Sequence, residues 1–453
     1  MANYALKKKH FLSNDSRSGK LLILIVTEKA FNSFGFSRYH IVTENNLIGS
    51  AYKMTLHFLD ENQETIQWFK KHENDFIKIR QFFHENPELS KKEFATTDKI
   101  NELLESWGIK TDRSFLETGV IGLIKKGTSS KRIGLRADID ALPIDENTNL
   151  TYKSKKAGIM HACGHDGHLS MLLFAAKYLQ EVAEFDGEIL LIFQPNEEDS
   201  AGARDLVEAG LFKKYPVDAV YAAHNFPGAD IGTLLICDGP QMAGTVSIEI
   251  DIHGVGCHAA HPYKGVDPIV TAAQVIVALQ TIPTRNMPAT DSVIITIGTI
   301  HGGTAHNVIP ETVKLTGTLR YFDPKIRELT KKRIHEITEG ICTAFGGRAN
   351  VRLVDGYIAT VNHTKETEIA LKAAQTIFKP CSISTDKTPS MGAEDFGFML
   401  ADQKGSYFYI GNGPDSSTNK LHNSGFDFND TNLLYGGVYW SVLAQYYLDN
   451  PQD

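Results

Sequence analysis

The hydrophobic positions in the centre of the chain form short runs. Apolar runs at 119–125, 132–136, 188–193 and 219–223 are separated by helical stretches, one of which is 169–182. The last three runs contain little polar alternation, as expected for parallel strands that are buried on both faces. Strands that alternate with helices in this way predict an α/β fold, a doubly wound domain with a parallel or mixed sheet.

The pattern changes between residues 242 and 356. Apolar and polar residues alternate at 246–252, which predicts a strand with one solvated face. Asp267 and Pro268 then have the character of a helix N-cap and a first helical turn. The periodicity further predicts a strand at 292–300, a strand at 312–321, a helix at 326–345 and a strand at 350–354. This β-α-β-β-α-β order predicts a ferredoxin-like domain that is inserted into the α/β domain.

These patterns divide the chain into four predicted segments. The run Leu21–Val26 is far shorter than the ~20 residues of a membrane span, so it favours a loosely attached extension over a targeting signal. Met54 is an alternative start of the natural product. The segments are a poorly ordered N-terminal extension (1–60), a first part of the α/β domain (61–241), an inserted domain (242–356) and a second part of the α/β domain (357–453).

Composition and charge narrow the class of protein. The chain is 42% hydrophobic and 22% charged, which is typical of a globular protein. The net charge of −8 and the lack of a long basic tract argue against a nucleic-acid or anionic-membrane partner. Five scattered cysteines do not form a disulfide framework, so a reducing compartment, the cytoplasm, is expected.

The densest group of potential ligands is the segment 160–168, MHACGHDGH. Cys163 and His165 are two residues apart, and in an extended segment both side chains would point to the same side. A thiolate beside an imidazole suits a borderline-soft metal such as zinc. Three histidines, a cysteine and an aspartate within this segment favour a metal site over a core cysteine beside structural histidines.

Further polar side chains follow predicted strands. Glu197 and Glu198 come after the run 188–193, and His224 follows the run 219–223. Ligand sites of open α/β sheets lie beyond the carboxyl ends of strands, although an acidic turn and structural histidines are alternatives. The aspartates of the segment 134–143 could orient a ligating histidine. Several strand ends that offer N, O and S donors, together with a second domain, indicate a metal-assisted hydrolase with a lid. No GxSxG, Walker A or GxGxxG motif occurs, so serine hydrolase, P-loop and Rossmann dinucleotide interpretations lack their usual support.

Nine segments between about residues 70 and 450 carry a family resemblance. They are HENPELS (84–90), GLRADIDALP (134–143), MHACGHDGH (160–168), QPNEED (194–199), AAHNFP (222–227), GGTAHNVIP (302–310), GTLRYFD (317–323), MGAEDFGFM (391–399) and LHNSGFDF (421–428). With these segments in this order, the chain resembles the dinuclear-metal aminoacylase/carboxypeptidase superfamily. The similar branch contains hippurate hydrolases, N-acyl-amino-acid amidohydrolases and plant auxin-conjugate hydrolases. Residues 1–60 lie outside the resemblance.

The resemblance implies a site with two divalent metal ions per subunit, zinc or manganese, with cobalt or nickel possible. Glu197 matches the general base. His258 matches a lid histidine that stabilises the oxyanion, in many members from the partner subunit, which implies a homodimer. Asn307 and Arg320 match residues that contact the intermediate and the substrate carboxylate, and Glu394 lies in a segment that lines the pocket. The implied metal ligands are Cys163, His165, Glu198, His224 and His422, with Cys163 between the two ions.

The implied reaction is cleavage of the amide bond of a small-molecule N-acyl-amino acid to a carboxylate and a free amino acid. A dipeptidase and an N-acetyl-diamino-acid deacetylase are alternative enzymes, and a metal-binding regulatory protein that kept the fold is the alternative outside enzymes. Cys257, Tyr263 and Asn196 stand where the family usually has glycine, histidine and a small residue. Since the ligands and the base are complete, these departures are expected to affect substrate preference.

Overall fold

The computed structural model describes residues 57–416 and 420–450, together with the strands Lys7–Asn14 and Leu21–Glu28. Those two strands pair with each other in antiparallel register. The expected disorder of residues 1–60 and the alternative start at Met54 fall mostly outside the described residues. From His57 onward the described residues form one compact unit.

Helices and strands of the described residues alternate along most of this compact unit. The helices are α1 (Glu64–Glu85), α2 (Phe94–Ser106), α3 (His165–Glu181), α4 (Glu197–Ser200), α5 (Gly202–Glu208), α6 (Leu211–Lys214), α7 (Pro268–Leu279), α8 (Thr281–Arg285), α9 (Pro324–Ala344), α10 (Thr364–Gln375), α11 (Gly397–Asp402) and α12 (Asn432–Asp449). The strands are β1 (Lys7–Asn14), β2 (Leu21–Glu28), β3 (Lys110–Asp112), β4 (Val120–Lys126), β5 (Arg132–Asp138), β6 (Gly187–Gln194), β7 (Ala219–Phe226), β8 (Leu234–Leu235), β9 (Gly239–Met242), β10 (Gly244–His253), β11 (Cys257–His258), β12 (Val293–Gly302), β13 (Val308–Ile309), β14 (Thr312–Tyr321), β15 (Arg348–Asp355), β16 (Thr360–Asn362), β17 (Ile383–Ser384) and β18 (Gly405–Gly411). Among these helices, none combines the length and the hydropathy that a membrane span requires.

The large sheet has the strand order β17-β8-β18-β7-β5-β6-β4-β3. Strands β5, β6, β7 and β18 run parallel, and β4 is antiparallel to β6, so the sheet is mixed. Almost every residue of β5, β6 and β7 is buried, which explains why these runs lack polar alternation in the sequence.

Helices cover both faces of this sheet. On one face, α1, α3 and α12 contribute Phe69, Phe174 and Trp440 to a continuous apolar core. On the other face, α5 and α11 contribute Leu206 and Met399 to a second core. The predicted doubly wound α/β fold is therefore confirmed.

A four-stranded antiparallel sheet lies between residues 244 and 355, with the order β12-β14-β10-β15. Helices α7 and α9 pack on it, and β10 alternates buried and half-exposed residues as its sequence predicts. The Asp267 carboxylate accepts hydrogen bonds from two backbone N–H groups of α7, so the predicted N-cap is correct. This order and topology confirm the ferredoxin-like lid; the domain boundaries at 242 and 356 stay a prediction.

Candidate metal centre

The ligand-type side chains meet at the carboxyl ends of β6 and β7 and at the start of α3. One atom each of Cys163, His165 and His224 lies within 4.8 Å of the others. Cys163, Glu198 and His422 form a second such group. The structure thus brings all five predicted ligands together, and the Cys163 sulfur is common to both groups. His422 is far from the other four residues in sequence. Its backbone N–H donates to the Ala162 carbonyl at 2.8 Å, and this hydrogen bond joins its segment to that of Cys163.

The extended conformation that the sequence suggested around Cys163 and His165 is wrong. His165 is the first residue of α3, so this helix begins four residues before the predicted start at 169. Gly164 has φ +94° at the helix N-cap, and a Cβ atom there would collide with the Asn225 side chain. Glycine therefore allows Cys163 to lie just before a helix N-terminus, where the helix dipole favours a thiolate.

Hydrogen bonds orient both histidines of the first group. The His165 Nδ1 lies 3.1 Å from a carboxylate oxygen of Asp140, and the His224 Nδ1 lies 2.7 Å from the Asn225 carbonyl oxygen. If each Nδ1 carries the donated proton, each Nε2 keeps a free lone pair. The predicted role for an aspartate of the segment 134–143, orienting a ligating histidine, agrees with the position of Asp140.

A left-handed turn after β6 presents the two adjacent glutamates. Asn196 has φ +61°, a conformation that asparagine tolerates better than most residues, and its N–H donates to Glu93 at 2.8 Å. The Glu198 N–H donates to Asp140 at 3.0 Å, and its carboxylate lies 3.3 Å from the His422 Nε2. Glu197 is buried beside it, so the two carboxylates face different surroundings.

The donor set fits a divalent cation. The His165 Nε2 is buried without a hydrogen-bond partner among the described residues, as expected of a ligand atom. The Glu198 Oε1 is also buried, 3.3 Å from the His422 Nε2 and 3.8 Å from the His165 Nε2, so the three atoms converge. Burial, with the charges of Glu198 and Glu197, raises the pKa of the Cys163 thiol well above its usual value. A bound cation would give the buried ligand atoms a partner and would lower the pKa of the Cys163 thiol. The mixture of sulfur, nitrogen and oxygen donors suits borderline divalent metals.

Glu394 lies beside Glu197, and protein groups already bind both of its carboxylate oxygens. It accepts hydrogen bonds from Arg136 (3.0 Å), the Tyr407 hydroxyl (2.8 Å) and the Phe396 N–H (2.9 Å). The predicted substrate contact of Glu394 stays a prediction. Sequence reasoning missed Arg136, a fully buried cation on β5 that also contacts Asp138 and Asp395.

The three predicted lid residues lie on the inserted domain. His258 and Asn307 are exposed neighbours at the β11–β13 pairing, and Arg320 lies on β14. Among the described residues, no hydrogen bond or ion pair joins any of the three to a predicted ligand. The roles of His258, Asn307 and Arg320 therefore stay predictions.

Arg80 of α1 is a second buried cation, it contacts the segments that contain His165 and His422, and sequence reasoning missed it. Its guanidinium forms ion pairs with Asp166 (2.9 Å), Asp427 and Asp430 (3.3 Å). Asp166 follows the predicted ligand His165, and Asp427 and Asp430 follow the predicted ligand His422. We call Arg80 and these three carboxylates the arginine clamp. An isolated arginine on a helix has no local sequence signal for such a role.

Fold and site together define the class of protein: a mixed-sheet α/β domain with an inserted lid, in which side chains with N, O and S donor atoms lie near a buried carboxylate. Comparison with known proteins agrees. The model of peptidase family M20/M25/M40 matches residues 134–445. The chain is 39% identical over 378 residues to a hippurate hydrolase of Campylobacter jejuni, covering 83% of this chain and 97% of that protein. It is 41% identical over 382 residues to an N-acetyl-L-cysteine deacetylase of Bacillus subtilis (84% and 90% covered).

A solved structure is similar as well. A dinuclear metal binding peptidase of the M20 family from Bacillus subtilis superposes with a TM-score of 0.74 at 33% identity, covering 84% of this chain and 99% of that one. The chain belongs to peptidase family M20/M25/M40, and it is an amidohydrolase. The family that the nine sequence segments indicate is therefore confirmed.

Proposed function

We propose that this protein cleaves the amide bond of N-acyl-amino acids, with benzoylglycine (hippurate) as the model substrate, to a carboxylate and a free amino acid. The observation that carries the proposal is the set of five ligand-type side chains, two of which, His165 and Glu198, have a ligand atom within 4.8 Å of the buried Glu197. The names of the two relatives, a hippurate hydrolase and an N-acetyl-L-cysteine deacetylase, support an acyl group on an amino acid as the substrate.

Two divalent ions per subunit are proposed as cofactors, zinc or manganese, while cobalt and nickel fit the same donors. They would be held by Cys163, His165, Glu198, His224 and His422. Bound there, such ions lower the pKa of water and polarise the acyl carbonyl. The dinuclear relative supports a pair of ions.

Glu197 is proposed as the general base. It takes a proton from the attacking water and delivers it to the leaving amine. Burial, followed by the charge of Glu394, raises the pKa of Glu197 above its usual value. A carboxylate with a raised pKa is a stronger base, which suits both proton transfers.

The lid is proposed to supply the remaining contacts. His258 would donate a hydrogen bond to the oxyanion, and Asn307 would contact the intermediate. The guanidinium of Arg320 is half-buried and forms no ion pair with a described residue, so it is available to bind a substrate carboxylate. Closure of the lid would exclude water from the reaction.

A homodimer in the cytoplasm is proposed as the working form. Strand β12 lies at the edge of the lid sheet and exposes Ile294 and Ile300. Helix α7 exposes Val277 to 67%. An open strand edge beside exposed apolar side chains favours pairing with another copy. In such a dimer, the partner subunit can supply His258 to the active site.

Mixing two inactive variants tests whether His258 acts across subunits. A Glu197→Ala subunit keeps His258, and a His258→Ala subunit keeps Glu197, so a mixed dimer has one complete site. Random mixing after dissociation is expected to restore about a quarter of the wild-type rate. A mixture no more active than the separate variants would place His258 within its own subunit.

The proposed reaction is tested by amine release from a panel of substrates. Apo-protein and protein loaded with Mn²⁺ or Zn²⁺ are compared on benzoylglycine, N-acetylcysteine, a dipeptide and an N-acetyl-diamino acid. Release from the first two that depends on added metal is the expected result. Release from the dipeptide alone, or from the N-acetyl-diamino acid alone, would contradict the proposal and favour one of the two alternative enzymes.

A further inference from the structure

An aromatic wall lies beside the ligand groups at the carboxyl edge of the large sheet. It consists of Phe226, Tyr407 and Tyr409. Tyr409 of β18 is directly opposite the ligand His224 of β7 in parallel register, so the two side chains share a face. Phe226 is two residues after His224, and its ring centroid is 5.6 Å from that of Tyr409. One end of the wall therefore adjoins a predicted metal ligand.

The other end of the wall reaches the general base. The rings of Tyr407 and Tyr409 are 5.0 Å apart, and the Tyr407 hydroxyl donates to Glu394 at 2.8 Å. A carboxylate oxygen of Glu394 lies within 4.8 Å of one of Glu197. The hydroxyl of Tyr409 is buried without a hydrogen-bond partner among the described residues. The wall thus extends from the predicted ligand His224 to Glu394, the carboxylate beside the proposed base Glu197.

Lys387 extends its ammonium group over this wall. The nitrogen is 4.0 Å from the ring centroid of Tyr409 and 5.4 Å from that of Phe226. Its hydrogen bond to the Thr388 carbonyl oxygen is long, at 3.4 Å, and no carboxylate of the described residues forms an ion pair with it. Burial lowers the pKa of Lys387. A half-buried cation without a counter-charge is costly, and a bound carboxylate would reduce that cost.

The expected orientation of the substrate places its acyl half next to this aromatic wall. Under the proposed function, on which this step rests, Arg320 of the lid binds the carboxylate of the amino-acid half. The catalytic domain is then left to contact the acyl half. We propose that Phe226, Tyr409 and Lys387 form an acyl subsite that selects acyl chains ending in a carboxylate, such as succinyl or glutaryl groups.

The test compares two substrates of matched length, glutarylglycine and hexanoylglycine. Wild-type protein is expected to show the higher kcat/KM for glutarylglycine. Lys387→Met keeps an unbranched side chain, one heavy atom shorter, and removes its charge. This variant is expected to lower the ratio of the two kcat/KM values about tenfold or more, since a partly buried charged contact is lost. An unchanged ratio would overturn the proposal.

Lys126 offers a matched control at the opposite edge of the same sheet. Its ammonium lies 5.6 Å from the ring centroid of Phe185, and its residue pairs with Gly187, the first residue of β6. Lys126→Met removes a lysine that also contacts an aromatic ring, and the ratio is expected to stay at the wild-type value. A ratio that falls equally in both variants also counts against the subsite.

Binding separates failure of the subsite from failure of the proposed function. If the metal-loaded wild type cleaves neither of these acylglycines and also releases no amine from benzoylglycine or N-acetylcysteine, the proposed function fails, and the subsite is tested by affinity alone. Calorimetry then compares the two ligands on Glu197→Gln protein, with and without Lys387→Met. Tighter binding of glutarylglycine that disappears with Lys387→Met supports the subsite, and equal affinities refute it.

Discussion

Replacing Glu197 by alanine is expected to lower the turnover of an N-acyl-amino acid by about 10²- to 10⁴-fold, the range that general bases contribute. The metal content is expected to remain at the wild-type value, because Glu197 is not among the five predicted ligands. Steady-state rates, together with metal content by mass spectrometry, measure the two effects on the same protein. Loss of rate without loss of metal is what distinguishes a base from a ligand.

The exposed Asp199 provides the control, two residues beyond Glu197 on the same short helix. Asp199→Ala removes a carboxylate from α4 without touching the buried group, so near wild-type turnover is expected. If Glu197→Ala turned over substrate at the wild-type rate, the assignment of the base would be wrong. If it lost metal in proportion to activity, Glu197 would be a ligand instead.

Replacing Arg80 by methionine is expected to destabilise the protein by about 3–5 kcal/mol, the usual cost of breaking a buried ion pair from one side. The physical reason is Asp166. Burial alone would raise its pKa, but the charge of Arg80 and a hydrogen bond with His84 hold that pKa well below its usual range. Without Arg80, this buried carboxylate loses its main counter-charge. Equilibrium unfolding in urea at pH 7 measures the change in the free energy of unfolding.

Arg132 is the matched control for the arginine clamp. It also pairs with a carboxylate, Glu188, but its side chain is 18% exposed and lies at the far edge of the sheet from the metal centre. Arg132→Met is expected to cost about 1 kcal/mol, as for a partly exposed pair. If Arg80→Met lowers the free energy of unfolding no more than Arg132→Met does, the arginine clamp does not contribute more stability than an ordinary partly exposed ion pair. A fall in metal affinity confined to Arg80→Met is expected as well, because the clamp holds the segments of His165 and His422.

The sequence predicted the elements near the centre because they have local causes. Strands β5, β6 and β7 are buried on both faces, so their residues are almost all apolar and easy to recognise. The lid strand β10 has one wet face, so it alternates. The N-cap of α7 depends on one side chain and its own backbone. In each case the physical cause lies within about ten residues.

The conformation of the segment at Cys163 was beyond local reasoning. The extended form was a fair expectation for two ligands spaced i and i+2, yet the backbone turns at Gly164 directly into a helix. The reason is a contact with Asn225 of β7, some sixty residues later, which leaves no room for a Cβ atom at residue 164. The residues near Gly164 in the sequence do not indicate this contact with Asn225.

The sequence by itself determined the α/β class and the inserted lid, because both follow from the spacing of apolar residues. It also determined the family and the residue types of the metal centre, because both follow from short motifs in a fixed order. Only the tertiary structure decided that Cys163 serves two groups of ligand atoms, that Arg80 joins the segments of His165 and His422, and that Lys387 extends over Tyr409. These contacts join residues that are tens to hundreds of positions apart. Their geometry depends on how strands and helices pack, and no local spacing encodes it.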